Sequence, residues 1–300
     1  MKILLTGATG LVGRRLVKTL TAGGHVVNFL TTNPDKVSRI SDAKGYIWDP
    51  GRGFIDEAAF IGVDTIVHLA GESIAGKWTP ETKQAILESR VVTANLIFKI
   101  LKTQPHQVQQ FVSASGIGFY PNSETAHYTE THSTPDDGFV GQVVVKWENA
   151  AQRMASLGIA TAILRTGLVL AREGGALAEM EKSFRLGLGA PLGSGKQIYS
   201  WIHLDDLAEM YKFVIENRLS GVFNAVSPQP VSNREFTRHL AQAMKKPAFL
   251  PPVPEFVLKL MLGEMHQILV TGQYVSADKI IGEGFSFKFP TLSEALKALY

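Results

Sequence analysis

The chemistry available to this chain is concentrated at a few short stretches. Thr6-Gly7-Ala8-Thr9-Gly10-Leu11-Val12-Gly13 sets three glycines three residues apart, directly after the apolar run Ile3-Leu4-Leu5. Backbone N–H groups at such a strand–turn–helix junction, with the positive end of the helix behind them, hold an anion, usually a dinucleotide pyrophosphate. Gly7 permits the sharp turn, Gly10 lets backbone approach phosphate with no Cβ in the way, and Gly13 lets helix pack on strand. Ser113-Ala114-Ser115 closes another apolar run. Ser115 there either donates to a substrate oxygen or caps its strand. Tyr120 follows in a loop and is either ordinary packing or, if the loop folds inward, a proton carrier. His203, just before Asp205 and Asp206, titrates in a useful range only if its surroundings leave it there; otherwise its role is structural.

The elements that must position these residues alternate strand and helix. Lys2 to Thr6 reads as a strand, and a helical pattern opens at Leu11, with Leu16, Val17 and Leu20 on one face and Gly23-Gly24 ending it. Further strands are expected at 25–32, 45–49, 64–71, 110–115 and 159–170, with helices at 79–102 and within 139–157. From about Arg172 the chain reads as loop-rich, with glycines at 174, 175, 187, 189, 193 and 195. Asp205 or Asp206 is placed to cap a helix running to Asn217. Residues 221–226 form a strand that returns to the main sheet, and helices follow at 234–244 and 256–262. The fold expected is α/β: a Rossmann doubly wound parallel sheet over 1–170, with 200–228 returning to it. A smaller mixed α/β substrate-side region covers 171–300.

Strand two fixes the cofactor expectation. An NAD site carries Asp or Glu about 20 residues past the glycines, on the ribose 2′-OH. Here the strand ends Thr31-Thr32-Asn33-Pro34, and no acid precedes Asp35. That leaves room for a 2′-phosphate, and Lys36 and Arg39 are either its counter-charges or solvated surface. The expectation is NADP(H), with NAD(H) as the alternative. Leu69, Ala70 and Gly71 end the fourth strand in a small-residue turn that faces the cofactor at the carboxyl edge of the sheet. Arg90, in the long helix after it, either reaches a phosphate or makes a surface ion pair.

Bulk properties remove other classes. With 30 Lys+Arg against 27 Asp+Glu the net charge is +3, and no long basic run exists, so neither nucleic acid nor an acidic membrane is an expected partner. There is no cysteine, hence no disulfide or thiolate chemistry, and no metal site is expected. No apolar run approaches the ~20 residues of a membrane span, and the first residues read as a strand rather than a signal peptide, so a cytoplasmic protein with a small-molecule substrate is expected.

Taken together, Thr6-Gly7-x-x-Gly10-x-x-Gly13, His68-Leu69-Ala70-Gly71, Ser113-Ala114-Ser115, Arg165-Thr166-Gly167 and Ile202-His203-Leu204-Asp205-Asp206 resemble the extended short-chain dehydrogenase/reductases. More narrowly, the run 187–203, Asn224-Ala225-Val226-Ser227-Pro228 and a C-terminal module at 248–297 are similar to an epimerase-like branch with a small C-terminal domain of unknown function. The resemblance implies NADP(H) around Gly7, Gly10, Gly13, Thr31, Thr32, Leu69, Ala70, Arg90 and Val169. It also offers Asp49 as an adenine contact, against a plain turn before Pro50. Oxidoreduction or epimerisation of a small carbonyl or nucleotide-sugar-like substrate is implied, and a homodimer through the long helices. One departure stands out. The superfamily's tyrosine lies four residues before a lysine on the helix after strand five. Here Lys146 is present but residue 142 is Gln142, while anchoring on Glu148 puts Val140 and Val144 at the pair. A non-catalytic NADP(H)-binding sensor or docking protein is therefore the alternative function.

Overall fold

The computed structural model describes residues 1–300. Its strands are β1 Lys2–Thr6, β2 Val26–Thr31, β3 Ala43–Asp49, β4 Phe54–Ile55, β5 Thr65–His68, β6 Gln110–Gly116, β7 His127–Tyr128, β8 Ala160–Thr166, β9 Leu168–Leu170, β10 Ile198–Tyr199, β11 Trp201–His203, β12 Gly221–Ala225, β13 Val231–Ser232 and β14 Tyr274–Val275. Its helices are α1 Leu11–Ala22, α2 Pro80–Thr103, α3 Phe139–Gln152, α4 Gly175–Arg185, α5 Leu204–Glu216, α6 Asn233–Met244, α7 Glu255–Leu262, α8 Gln267–Val270, α9 Asp278–Gly282 and α10 Leu292–Leu299. The central sheet runs β12-β8-β6-β5-β1-β2-β3-β4, parallel throughout except for β4 at one edge. Order reverses between β1 and β5, the switch point at which doubly wound sheets bind ligands.

Period-two alternation sorts the core into two layers. Ile3, Leu5, Val67 and Val112 face α1 and α5, whereas Leu4, Ile66 and Phe111 face α2 and α3. The ends of the helices are set by their own sequence. Thr79 caps α2 by accepting from Thr82 N–H, with Pro80 at the first helical position. Ser232–Glu235 and Thr291–Glu294 form capping boxes on α6 and α10. No helix is long and apolar enough to cross a membrane.

Three local expectations are corrected. The run 159–170 is two strands, because at Gly167 the chain leaves the main sheet; a Cβ there would lie 2.3 Å from Ser200 O. β9 then pairs with β11, not with β6 or β12. The stretch after Arg172 is not all loop: α4 occupies 175–185 and buries Leu177, Glu181 and Phe184. Gly174 and Gly175 mark its entrance rather than an absence of structure. The cap of α5 is His203, whose side chain accepts from Asp205 N–H, rather than Asp205 or Asp206. Asp206 instead accepts the N–H groups of Lys288 and Phe289, tying the C-terminal segment to α5.

Candidate functional site

The glycine turn has the geometry that its sequence implies. Gly7 takes φ +72°, and a Cβ on it would meet the Leu69 carbonyl at 2.9 Å. A Cβ on Gly13 would lie 2.2 Å from Gly7 O. Gly10 is different: its Cβ would meet only Gly7 O, at 3.3 Å, with nothing on the outer side. Gly10 is the N-cap of α1, yet no side chain caps that helix and its first turn holds no acid. The N–H groups of Leu11, Val12 and Gly13 therefore point out of the helix end without an intrahelical acceptor, as an anion site requires.

Thr6 is fully buried and acts on this turn rather than lining it. Its hydroxyl oxygen accepts from Leu69 N–H at 3.1 Å and Ala70 N–H at 3.0 Å. Its single proton is thus left for His68 Nδ1, 2.9 Å away. His68 Nε2–H then meets Thr93 Oγ1 at 3.2 Å, and Thr93 passes its own proton to Ser89 O. The network needs a neutral imidazole. Burial, opposed by the Arg90 backbone bond and reinforced by the Arg90 charge, lowers the His68 pKa from 6.5 to about 4. The unfolded chain binds this proton below pH 6.5 and the folded one only below about 4, so stability falls as pH drops through that window. A loss of about 3 kcal/mol between pH 7 and pH 4 is expected from this group. Urea midpoints measured across the range check it, and His68→Gln is expected to remove that part of the slope.

Beside the turn lies a cleft of about 370 Å³ at the β1/β2/β5 carboxyl edge. Gly7, Thr9, Thr31, Thr32, Ala70 and Gly71 line it, as does Lys36. No carboxylate stands at the end of β2. Arg90 seals one wall: a Cβ on Gly71 would lie 3.1 Å from its guanidinium, which donates to Glu72 O and Ile86 O. It holds the wall rather than reaching outward, and it stacks over Trp147 at 5.0 Å. Asp49 caps the turn after it, accepting from Arg52 N–H, while its neighbours Trp48 and Pro50 line the cleft. Val169 lies in β9 outside the lining, and Leu11 faces the Gly175 turn.

The proposed catalytic residues separate. Ser115 sits at the carboxyl end of β6 but its hydroxyl is already engaged, donating to Glu148 Oε1 at 2.6 Å. Glu148 also takes a bidentate fork from Arg165, Nε to Oε1 and Nη2 to Oε2, each at 2.8 Å. All three are 4% exposed. Burial works against the Arg165 charge, but the bonds and charge of Glu148 outweigh it and raise the pKa. Of the two readings of Tyr120, ordinary packing holds and proton carrier does not: it is fully buried and donates to Asn224 Oδ1 at 2.7 Å. Burial pushes its phenol above the ordinary value, which keeps it protonated. Lys146 is exposed on another face of α3. The face turned to β6 carries Val140 against Gly118, Val144 against Gly116, and Glu148. His203 belongs elsewhere too, capping α5 beneath Phe289 at 4.1 Å and beside the Arg15–Asp205 pair. Burial lowers its pKa first, with Asp205 opposing.

Several participants have no role assigned from the sequence, although Arg165 opens one of the quoted motifs. Glu148 and Arg165 carry a signal that could have found them: each is a charge at a core position, Glu148 on the apolar face of α3 and Arg165 inside an apolar strand. Trp48, Ser89, Val92 and Thr93 line the cleft or its wall without motif spacing.

Comparison with known proteins bears on this cleft. The family described as NAD dependent epimerase/dehydratase matches residues 3–225, and a domain of unknown function (DUF1731) matches 253–299. The epimerase family protein YfhF of Bacillus subtilis is 35% identical over 302 residues, spanning 100% of this chain and 98% of YfhF. A crystal structure of the human epimerase family protein SDR39U1 (isoform 2) with NADPH superposes with a TM-score of 0.88 at 33% identity, covering 100% of this chain and 99% of that one. A nucleoside-diphosphate sugar epimerase from Corynebacterium glutamicum superposes at 0.79 and 28% identity, with 100% of this chain and 58% of that one covered.

Proposed function

Because the chain belongs to the NAD dependent epimerase/dehydratase family, we propose that it binds NADP(H) and transfers hydride to or from a small carbonyl, alcohol or nucleotide-sugar-like substrate, the hydroxyl proton of the alcohol form being exchanged with water. The carrying observation is the cleft: an uncapped helix end at a turn bounded by Gly7 and Gly10, joined to the acid-free end of β2 with Thr31, Thr32 and Lys36 in the lining, whose two acids, Glu72 and Glu88, come from the turn after β5 and from α2. The amides of Leu11, Val12 and Gly13 suit a diphosphate, and Lys36 suits a 2′-phosphate. Bound there, the dinucleotide supplies the hydride acceptor or donor. The protein's own part is to orient it, through the Thr6–His68 anchor and the Arg90 wall. The NADPH of the human relative supports this choice of cofactor.

Titration of NADPH fluorescence tests the reading. Micromolar binding is expected, tighter for NADPH than for NADH. Lys36→Ala is expected to reduce that preference about fivefold, about 1 kcal/mol for a partly exposed charge pair. Absence of binding by both nucleotides rejects the proposal. The sensor reading draws on one observation, that Tyr120 is sealed in the core and Lys146 faces away. Silence toward sugars, aldehydes and ketones in the 340 nm assay, with tight NADPH binding retained, would favour it.

A further inference from the structure

Ser115 has a single proton and two lone pairs. The proton is spent on Glu148 Oε1. Glu148 has none to return, because both of its oxygens accept from the Arg165 fork. Ser113, next but one along β6, donates to a backbone carbonyl, and Tyr120 donates to Asn224. Arg165 Nη1 is the one unpartnered donor of the group, and the guanidinium lies 3.5 Å over the Phe119 ring. The place is relevant to the cleft. The last β5–β6 pair is His68 with Ser113; Ser115 lies two residues past it at the carboxyl end of β6, and the chain leaving β5 runs on to Ala70 in the cleft lining.

We propose that Glu148, clamped by Arg165, is a positioning residue that fixes Ser115 as a hydrogen-bond acceptor at the carboxyl edge, so that the group Ser115 receives from a substrate is an alcohol O–H and not a bare carbonyl. This rests on the hydride-transfer reading and narrows it. A serine that polarises a carbonyl must point its proton at the substrate; here that would break a 2.6 Å charge-assisted bond to a buried carboxylate. A hydroxyl substrate completes the set instead, donating to Ser115 while the existing bonds stay intact. The side-chain groups facing Glu148 are Ser115 and Arg165, both from strands of the main sheet.

The test uses the full chain with NADPH bound. Glutamate carrying ¹³C at its carboxyl group, with Glu148→Gln as reference, isolates the infrared band of Glu148. An ionised carboxylate band is expected. It should shift in Ser115→Ala and recover in Ser115→Thr, which keeps the hydroxyl. If Glu148→Gln does not fold, the difference between wild type and Ser115→Ala carries the same information. A protonated carboxyl band, or a band that Ser115→Ala leaves unmoved, overturns the proposal. Calorimetry then compares UDP-glucose, which offers a 4-hydroxyl, with UDP-4-keto-6-deoxyglucose. Ser115→Ala is expected to weaken the first about tenfold and spare the second, and the opposite ranking overturns the proposal. If neither sugar binds while NADPH does, the nucleotide-sugar part of the functional reading fails, and the infrared result alone decides where the serine proton lies.

Discussion

Gly13→Ala is expected to lower the thermal midpoint by several degrees and weaken NADPH binding more than tenfold. The added Cβ would lie 2.2 Å from Gly7 O and 2.7 Å from Ala8 Cα, both backbone atoms that no rotamer change can move. Either α1 lifts off the turn or the turn opens. Overpacking of this kind costs about 1–3 kcal/mol, and roughly 2–4 °C accompany each kcal/mol in a large domain. The N–H groups of the turn move with the strain, so affinity falls with stability. Gly10→Ala separates the two effects. Its methyl would meet only Gly7 O at 3.3 Å, so the fold should hold, but it stands on the side from which a phosphate must approach. Affinity should drop with little change in midpoint. Gly282→Ala, where a Cβ meets nothing within 4 Å, should change neither. Differential scanning fluorimetry and NADPH titration on the three variants check the series. Equal behaviour of Gly10→Ala and Gly13→Ala would mean that the glycines serve the fold alone.

The series also marks what could be read without a structure. β1, its turn and α1 are local: three glycines, an apolar run and a helical face within 22 residues determine one another, and their roles follow from elementary sterics. β2 with its acid-free end, β6 and the return of β12 to the sheet are legible in the same way, from short apolar runs bounded by turn residues. α4 was hidden because Gly174 and Gly175 read as loop, although they only shape its entrance. The cap of α5 escapes the sequence for a more instructive reason. Asp205 and Asp206 are better caps by type, but the helix begins at Leu204, so the cap must be residue 203, and its ring nitrogen takes the part. Tyr120 shows the limit of position along the chain. It follows the serine strand by only a few residues, yet Asn224, 104 residues later, draws its hydroxyl into the core.

The Ser115–Glu148–Arg165 group lies at that same limit, since sequence separations of 33 and 17 residues are closed only by the topology of β6, α3 and β8. Its energetics give the second large expected effect. Glu148→Ala removes the partner of a guanidinium that is 4% exposed and already has Nη1 unpaired. Stranding a buried charge costs about 3–5 kcal/mol, so the variant should unfold at distinctly lower urea than wild type. Arg165→Met should do the same by stranding Glu148. The pair together need not: replacing both halves of a buried ion pair by apolar groups of similar volume is often neutral or better. Glu148→Leu with Arg165→Met is therefore expected to recover most of the stability that either single change loses, a coupling measurable by a double-mutant cycle. The double variant would nonetheless free the Ser115 proton. If it folds like wild type but alters hydroxyl recognition at the sheet edge, the buried pair is retained for the direction in which it turns one hydroxyl, and stability alone does not explain its presence. If it folds and recognises ligands as wild type does, the pair is an ordinary buried ion bridge.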